Sequence, residues 1–470
     1  MLGLFGTLGL AQRSLSTQQQ GVEVAGHNLA NVSNSDYTRQ RIIVQTGQTV
    51  PSTIGPQGTG SVVVGIAQLR SALVDRQIQD ETSVGGFLDA QQQALQYAQA
   101  NLGQEIDTTG SDSTSTSGQS GLAQGLSDLF NAFQSLSTDP TSLAERQVVL
   151  MKSLSLTQQF NQTSQRLDTL RTSLNDSVES DASSINTILS EVAKLNDQII
   201  NTETGNAGSA NDLRDTRQSK LNELAELVKI DTVEQDNGAV NISIGGVLMV
   251  SDKTVLDQIE TYDAGGGHIL VRSQSTGQAI TPTSGQLAGT IDARDGALAS
   301  LQADLDLLAT QLISEVNAIH TTGYNLSGTN GANFFTGTDA GDITVNATLL
   351  NDPSLIQASG ASDAVGDNTT ALALAQLANT SFASLGNQTF SERYNQTVAQ
   401  LGQELSSTNS QITNQETVMK ALQQQHDSVS GVSLDEEMTD LMKYQRAYEA
   451  SARLISVLDA MLETVVNLKR

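Results

Sequence analysis

The sequence predicts a mainly α-helical protein with an inserted antiparallel β segment, an α+β arrangement whose two ends pair as a coiled coil. Both ends place apolar residues at alternating steps of four and three, the seam spacing of a coiled coil. In residues 231–290 apolar and polar residues instead alternate with a period of two, and long stretches with a helical period lie on both sides. Aromatic residues make up 3% of the 470 residues and Trp is absent, which favours an elongated body of two to four domains over one thick globule.

The first element is a helix over 2–30, despite its five glycines. Each interior glycine costs roughly 0.5–1 kcal/mol relative to alanine. The free energy gained by burying about five large seam residues is smaller than the free-energy cost of the backbone entropy lost when this segment becomes ordered. We therefore expect it to be mobile in the free monomer and to order against partner helices.

The middle of the chain predicts helices on both sides of β structure. Turn-rich sequence precedes two short strands at 41–45 and 61–66, and 108–120 is a low-complexity surface loop. A further group of strands is expected at 240–244, 247–250 and 268–271. Helices are expected at 71–107, 121–135, 143–201, 211–229, 293–319 and 371–427, with loop and short strand at 321–366.

This order predicts a chain that runs out and returns, so that its termini lie at the same end. We expect a terminal coiled-coil assembly domain from residues 1–40 and 431–470. Residues 41–230 and 291–430 form a mainly helical middle domain with a small β element near 41–70, and 231–290 form the inserted β domain.

The last helix has a predicted start at a capping box, with Ser433 as N-cap and Glu436 reaching back to it. Asp435, Glu436 and Glu437 are interpreted as the charged first turn of this helix rather than as a catalytic or cation site. An apolar stripe is usually a core face, but here it lies at both extremes of the chain. The predicted assembly interface is Leu4, Leu8, Leu15, Val22, Leu29, Leu434, Met438, Leu441, Tyr448, Ile455, Leu458 and Leu462.

Charge separates the ends from the middle. The net charge is −27, which argues against a nucleic-acid partner and against an anionic membrane surface. Residues 1–42 carry three Arg and two acidic residues, and 434–470 carry five basic and seven acidic residues. Nearly all of the negative charge therefore lies between the ends, as expected for a buried assembly core and a solvated exterior.

The sequence shows no pattern of catalytic, cofactor-binding or metal-ligating residues. There is no Cys, and the four His are scattered without metal-ligand spacing. Phosphate-binding loops and hydrolase motifs do not occur. We therefore expect a protein that is not an enzyme and needs no cofactor.

Two segments beside the stripes resemble the bacterial flagellar rod, hook and hook-associated axial proteins. Asn-Leu-Ala-Asn at 28–31 and Tyr-Thr-Arg-Gln at 37–40 match the family signature through Asn28, Asn31, Tyr37, Arg39 and Gln40. Ser-Asp at 35–36 stands where the family usually has a Pro-Gly turn. Segments 430–438 and 444–455 resemble the C-terminal end of the hook-associated branch, and shorter matches occur at 211–217, 286–295 and 316–324.

The resemblance implies a structural subunit at the junction between hook and filament, exported to the extracellular flagellum without a cleaved signal peptide. The implied partners are further copies of the chain in a ring, the hook protein, the second hook-associated protein and a flagellar export chaperone. One alternative is another axial protein, a distal rod or hook subunit. A less favoured alternative is a hydrolase carried on an axial scaffold.

Overall fold

A computed structural model describes residues 3–51, 55–102, 121–204 and 209–467. It is mainly α-helical with small antiparallel sheets, which confirms the predicted fold class. The predicted loop at 108–120 lies outside the described residues. The helices are α1 (Leu4–Ala30), α2 (Ala72–Asn101), α3 (Leu122–Thr138), α4 (Leu143–Glu203), α5 (Asn211–Leu227), α6 (Gln286–Ala293), α7 (Ala299–His320), α8 (Ala347–Asn351), α9 (Thr369–Gln376), α10 (Phe390–Ser430) and α11 (Leu434–Asn467).

The strands form antiparallel pairs between neighbours in the chain, as the predicted turns require. The first two make a hairpin that lies beside α1, and the third to the sixth make a four-stranded sheet in chain order. The strands are β1 (Gln40–Thr46), β2 (Ser61–Gln68), β3 (Asp231–Glu234), β4 (Val240–Ile244), β5 (Val247–Ser251), β6 (Thr254–Val255), β7 (Ile259–Asp263), β8 (Ile269–Ser273), β9 (Phe335–Thr336) and β10 (Thr344–Val345).

Helix α4 runs through the body for 61 residues. It contains neither glycine nor proline, and Ser142 caps its start by accepting the backbone N–H of Glu145 at 3.3 Å. Its N-terminal half packs in one hydrophobic cluster with α3, α7, α9 and α10. Its C-terminal half packs in a second cluster with α5 and strands of the 231–290 region. The predicted β insertion thus shares its core with helices, and its boundaries as a domain stay a prediction.

Two of the predicted helices have different bounds in the structure. The helix expected over 371–427 is divided into α9 and α10, because Gly386 takes a left-handed conformation (φ 73°) and Thr389 forms a capping box with Glu392. The helix expected over 293–319 passes through a π-helical turn at Arg294–Leu298 before α7. There the Arg294 guanidinium is buried and binds Asp295, Asn175 and the carbonyl of Ile269.

The first and last helices, α1 and α11, pack against each other, which confirms that the two ends of the chain lie together. Within the described ranges, no helix is both long and apolar enough to cross a membrane. The expectation that the ends order only on assembly stays a prediction.

Candidate functional site

The α1–α11 pair is antiparallel, with a regular register. The facing pairs are Ser14 with Ser451 (Oγ to Oγ, 3.0 Å), Gly21 with Tyr444, and Asn28 with Glu437 (Nδ2 to Oε2, 2.9 Å). Successive pairs lie one heptad forward in α1 and one heptad back in α11, the spacing of an antiparallel coiled coil. A Cβ added to Gly21 would lie 2.6 Å from the Tyr444 ring, so this position requires glycine for the close approach of the helices.

The predicted stripes do not face each other directly but lie side by side on one flank of the pair. Both helices are right-handed and they run in opposite directions, so the residue after each facing residue turns toward the same side of the pair. Leu15, Val22 and Leu29 hold these positions in α1. We define the shared apolar face as Leu8, Leu15, Val22 and Leu29 of α1 with Met438, Leu441, Gln445, Tyr448 and Ala452 of α11.

Exposure differs along the predicted interface residues. In α1, Leu4, Leu8, Leu15, Val22 and Leu29 are half-buried, and so are Leu441, Ile455 and Leu462 in α11. Three residues of α11 are more exposed: Leu434 at 53%, Met438 at 40% and Tyr448 at 38%. Leu458 is instead 6% exposed, because it belongs to the same heptad position as Tyr444 and Ser451 and faces α1.

The family-motif residues lie where this pair meets the body of the chain, and Asn28 is the centre of the arrangement. Its side-chain oxygen accepts hydrogen bonds from the Tyr37 hydroxyl at 2.7 Å and from the Gln40 N–H at 3.0 Å. Its Nδ2 donates to the Gln40 carbonyl and to Glu437, both at 2.9 Å. One buried amide therefore ties the end of α1 to the start of β1 and to α11. Asn31, the other asparagine of the motif, donates to the His27 carbonyl at 3.0 Å.

An ion pair fastens the start of α11 to the same point. Arg39 Nε donates to Glu437 Oε1 at 2.6 Å and Arg39 Nη1 donates to Glu436 Oε2 at 2.5 Å. The Arg39 N–H also donates to the carbonyl of Ser430 at the end of α10. Burial acts to lower the pKa of Arg39, but the hydrogen bonds and charges of Glu436 and Glu437 outweigh it and raise that pKa above its ordinary value.

A second set of contacts joins this point to α5. The Thr38 N–H donates to Asp215 Oδ2 at 3.1 Å, and Gln40 Nε2 donates to Asp212 Oδ1 at 2.9 Å. Burial and then the charges of Asp212, Asp215 and Glu437 raise the pKa of Tyr37 well above its ordinary range, so its hydroxyl stays protonated and donates. We define the terminal joint as Asn28, Tyr37, Thr38, Arg39, Gln40, Asp212, Asp215 and Glu437.

One expectation about the start of α11 was wrong and another is confirmed. Glu436 does not cap the helix at Ser433, since its carboxylate binds Arg39 instead. Asp435, Glu436 and Glu437 do form the acidic first turn of α11, and within it Glu437 is only 3% exposed and holds two partners of the joint. The heptad position that Glu437 shares with Tyr444 and Ser451 could have indicated its burial.

The joint is a structural connection. Its carboxylates already have hydrogen-bonded partners from Thr38, Arg39 and Gln40. In the part of the chain that the structure describes, no group of three or more His, Asp or Glu is placed to hold a metal ion. The chemistry available here is the directional joining of helices.

Comparison with known proteins gives matches along the chain. Residues 108–335 match the family described as the flagellar hook-associated protein FlgK helical domain, and residues 423–468 match the C-terminal family of the flagellar basal body rod proteins FlgEFG. The structure of the flagellar hook junction protein FlgK from Burkholderia pseudomallei aligns with a TM-score of 0.48 and 24% identity, over 56% of this chain and 46% of that one.

Curated relatives match at full length. The chain is 27% identical to flagellar hook-associated protein 1 of Bacillus subtilis, over 99% of both chains. It is 23% identical to flagellar hook-associated protein 1 of Salmonella typhimurium, over 98% of this chain and 99% of the relative. These matches agree with the resemblance of the segments around Asn28 and Tyr444, and together they support the identification of the chain as a flagellar hook-associated protein.

Proposed function

We propose that this chain is a structural subunit of the bacterial flagellum that forms the junction between hook and filament, assembled through its paired terminal helices. The shared apolar face is the observation that carries the mechanism. It presents large apolar side chains, such as Leu15, Met438 and Tyr448, that a single copy leaves half-buried or exposed. Each such side chain contributes about 1 kcal/mol when a neighbouring subunit completes its burial.

Charge supports the same surface as the contact between subunits. The nine residues of the shared apolar face include no charged side chain, in a chain of net charge −27. Copies with so large a charge of one sign repel each other. Contact between copies therefore has the smallest repulsion energy where the surface carries no carboxylates.

The terminal joint supports a defined direction for the pair. Buried hydrogen bonds at Asn28, the Arg39–Glu437 ion pair and the bonds to Asp212 and Asp215 link both terminal helices to α5. Subunits packed through the pair therefore present their bodies at a common angle, which an ordered junction needs.

The proposal extends to partners and location. The subunits form a ring that contacts the hook protein on one side and the second hook-associated protein on the other. The chain reaches this extracellular position through the flagellar export channel, after an export chaperone has bound it. The mechanism is passive packing, without a catalytic step.

The test is a charged substitution in the shared apolar face. Leu15→Asp places a carboxylate among apolar side chains of the neighbouring subunit, where an unpaired charge costs several kcal/mol. We expect cells that carry only this variant to lose swimming, and the purified protein to lose binding to isolated hooks. The matched control is Val233→Asp on β3, since Val233 is 59% exposed and lies far from the pair in the chain.

The thermal unfolding of both variants separates assembly from stability. The central clusters unfold as in the wild type if Leu15 acts only between subunits. Normal hook binding by the Leu15→Asp protein contradicts the proposed mechanism.

A further inference from the structure

We infer that the shared apolar face of one copy receives the outer face of the β1–β2 hairpin of the next copy, so that subunits join head to tail. This inference rests on the proposed function and names the surface that fills its interface. The outer face of the hairpin, the hairpin patch, consists of Ile43, Val62 and Val64. These side chains are 44%, 39% and 46% exposed.

The hairpin patch points away from the α1–α11 pair. Ser61 Oγ lies 3.4 Å from Thr17 Oγ1, so the Ser61 side chain faces α1. Alternate side chains of a strand point to opposite faces, so Val62 points outward, as does Ile43, the exposed neighbour of the buried Ile42. The register shifts between Ile43 and Val44, so Val64 is the extra, exposed residue of a β-bulge, and Val44 pairs with Val63 on the inner face. A single copy therefore leaves three β-branched side chains exposed on one short hairpin.

The hairpin and the shared apolar face lie on opposite flanks of α1. Arg13 Nη1 donates to Thr59 Oγ1 at 2.8 Å, and Thr17 Oγ1 lies 3.3 Å from the Ser61 carbonyl, which fixes the side of α1 that the hairpin covers. Leu15 is two residues from Arg13, a turn of roughly 200° around the helix. Each copy therefore shows one apolar surface on each side of its terminal pair.

Two different surfaces are what a ring requires. A self-complementary contact joins two copies and closes, whereas a head-to-tail contact uses unlike surfaces and continues until the rotation closes a ring. The hairpin patch and the shared apolar face are unlike, since one is a surface of β-strands and the other is a surface formed by two helices. Because the two surfaces point in opposite directions, each copy can place its hairpin patch on the shared apolar face of the next copy.

Charge also favours this pairing. Residues 37–74, which include the hairpin, contain no Asp or Glu and three Arg. Arg41 is exposed on β1, and the exposed carboxylates of Asp435 and Glu449 border the shared apolar face one helical turn from Met438 and Gln445. The head-to-tail contact brings Arg41 of one copy to the carboxylates of the next, outside the apolar centre.

The chain has no cysteine, so single introduced cysteines report contacts without background. Equal amounts of full-length Val64→Cys and Gln445→Cys proteins are bound together to isolated hooks and treated with a short bismaleimide. We expect the mixed pair to give at least tenfold more covalent dimer than either variant alone. The matched control replaces Val64→Cys by Val233→Cys, a more exposed position on β3.

The outcomes separate the inference from the proposed function. If the proteins bind hooks but the mixed pair gives no more dimer than the Val233→Cys control, the head-to-tail contact is wrong and the junction role stands. Dimers formed by Gln445→Cys alone indicate a self-complementary contact and overturn the inference as well. If the wild-type protein does not bind hooks, the proposed function itself is refuted. Circular dichroism of each variant shows that it is folded.

Discussion

Removal of the Arg39 charge isolates the energy of the terminal joint. Arg39→Met keeps an unbranched apolar side chain of similar length but removes the guanidinium. Glu437, whose side chain is 3% exposed, then keeps its charge without the cation that lies 2.6 Å away. The remaining partner of that carboxylate is the amide of Asn28.

The magnitude follows from burial. Two unit charges at this distance attract by about 6 kcal/mol at an effective dielectric constant of 20, and desolvation offsets much of this. Loss of one partner of a buried pair costs about 3–5 kcal/mol. We expect about 3 kcal/mol for Arg39→Met, because Asn28 still donates to the carboxylate. The second partner, Glu436, is 62% exposed and contributes less than about 1 kcal/mol.

Hydrogen exchange measured by mass spectrometry reports this loss of stability in the terminal helices. A loss of about 3 kcal/mol lowers the protection of peptides from α1 and α11 by roughly 100-fold. Glu436→Gln, which changes the exposed arm of the same ion pair, lowers it less than about fivefold. Equal effects of the two substitutions, or an effect of Arg39→Met confined to the central clusters, refute the argument from burial.

Two further predictions use matched comparisons. In α1, Gly21→Ala separates the two terminal helices because its Cβ would lie 2.6 Å from the Tyr444 ring. Gly26→Ala instead meets no atom within 4 Å and stabilises α1 by about 0.5–1 kcal/mol. Amide exchange in α11 distinguishes the two variants, and equal exchange in both contradicts the α1–α11 register. The buried His320 donates from Nδ1 to the Ala332 carbonyl and accepts the Gln357 N–H on Nε2, and burial lowers its pKa from 6.5 to about 4. The unfolded chain therefore binds this proton first as the pH falls, and the free energy of unfolding decreases by roughly 3 kcal/mol between pH 6.5 and 4. Urea unfolding of the wild type and His320→Gln at pH 7 and pH 4.5 tests this, since equal pH dependence in both removes His320 as the cause.

Much of the α–β order was readable from the sequence because apolar spacing repeats over many residues. The hairpin at 41–66, the strands near 240–271 and the long helix over 143–201 all appear close to their predicted bounds. The break between α9 and α10 was missed. It depends on one left-handed glycine and one capping box, which interrupt a sequence that is otherwise helical in composition.

The details of the terminal pair were less readable for a different reason. The predicted stripes follow Leu, Val and Met, but the residues that face each other are Ser14, Gly21 and Asn28 with their partners in α11. Small and polar contact residues leave no hydrophobic signal, so the predicted stripe, whose residues lie one or four positions after the contact residues, is rotated by roughly 70° around each helix. Glu437 was missed because its partner Arg39 lies almost 400 positions earlier in the chain.

Helix α4 gives the molecule a mechanical property as well as a core. At 61 residues it is about 90 Å long, and without glycine or proline it has no point at which bending is easy. Helix α5, which carries Asp212 and Asp215 of the terminal joint, packs on its C-terminal half, and the other hydrophobic cluster surrounds its N-terminal half. Torque applied at the paired terminal helices is therefore transmitted along the stiff α4 to the hydrophobic cluster around its N-terminal half, with little deformation of the helix.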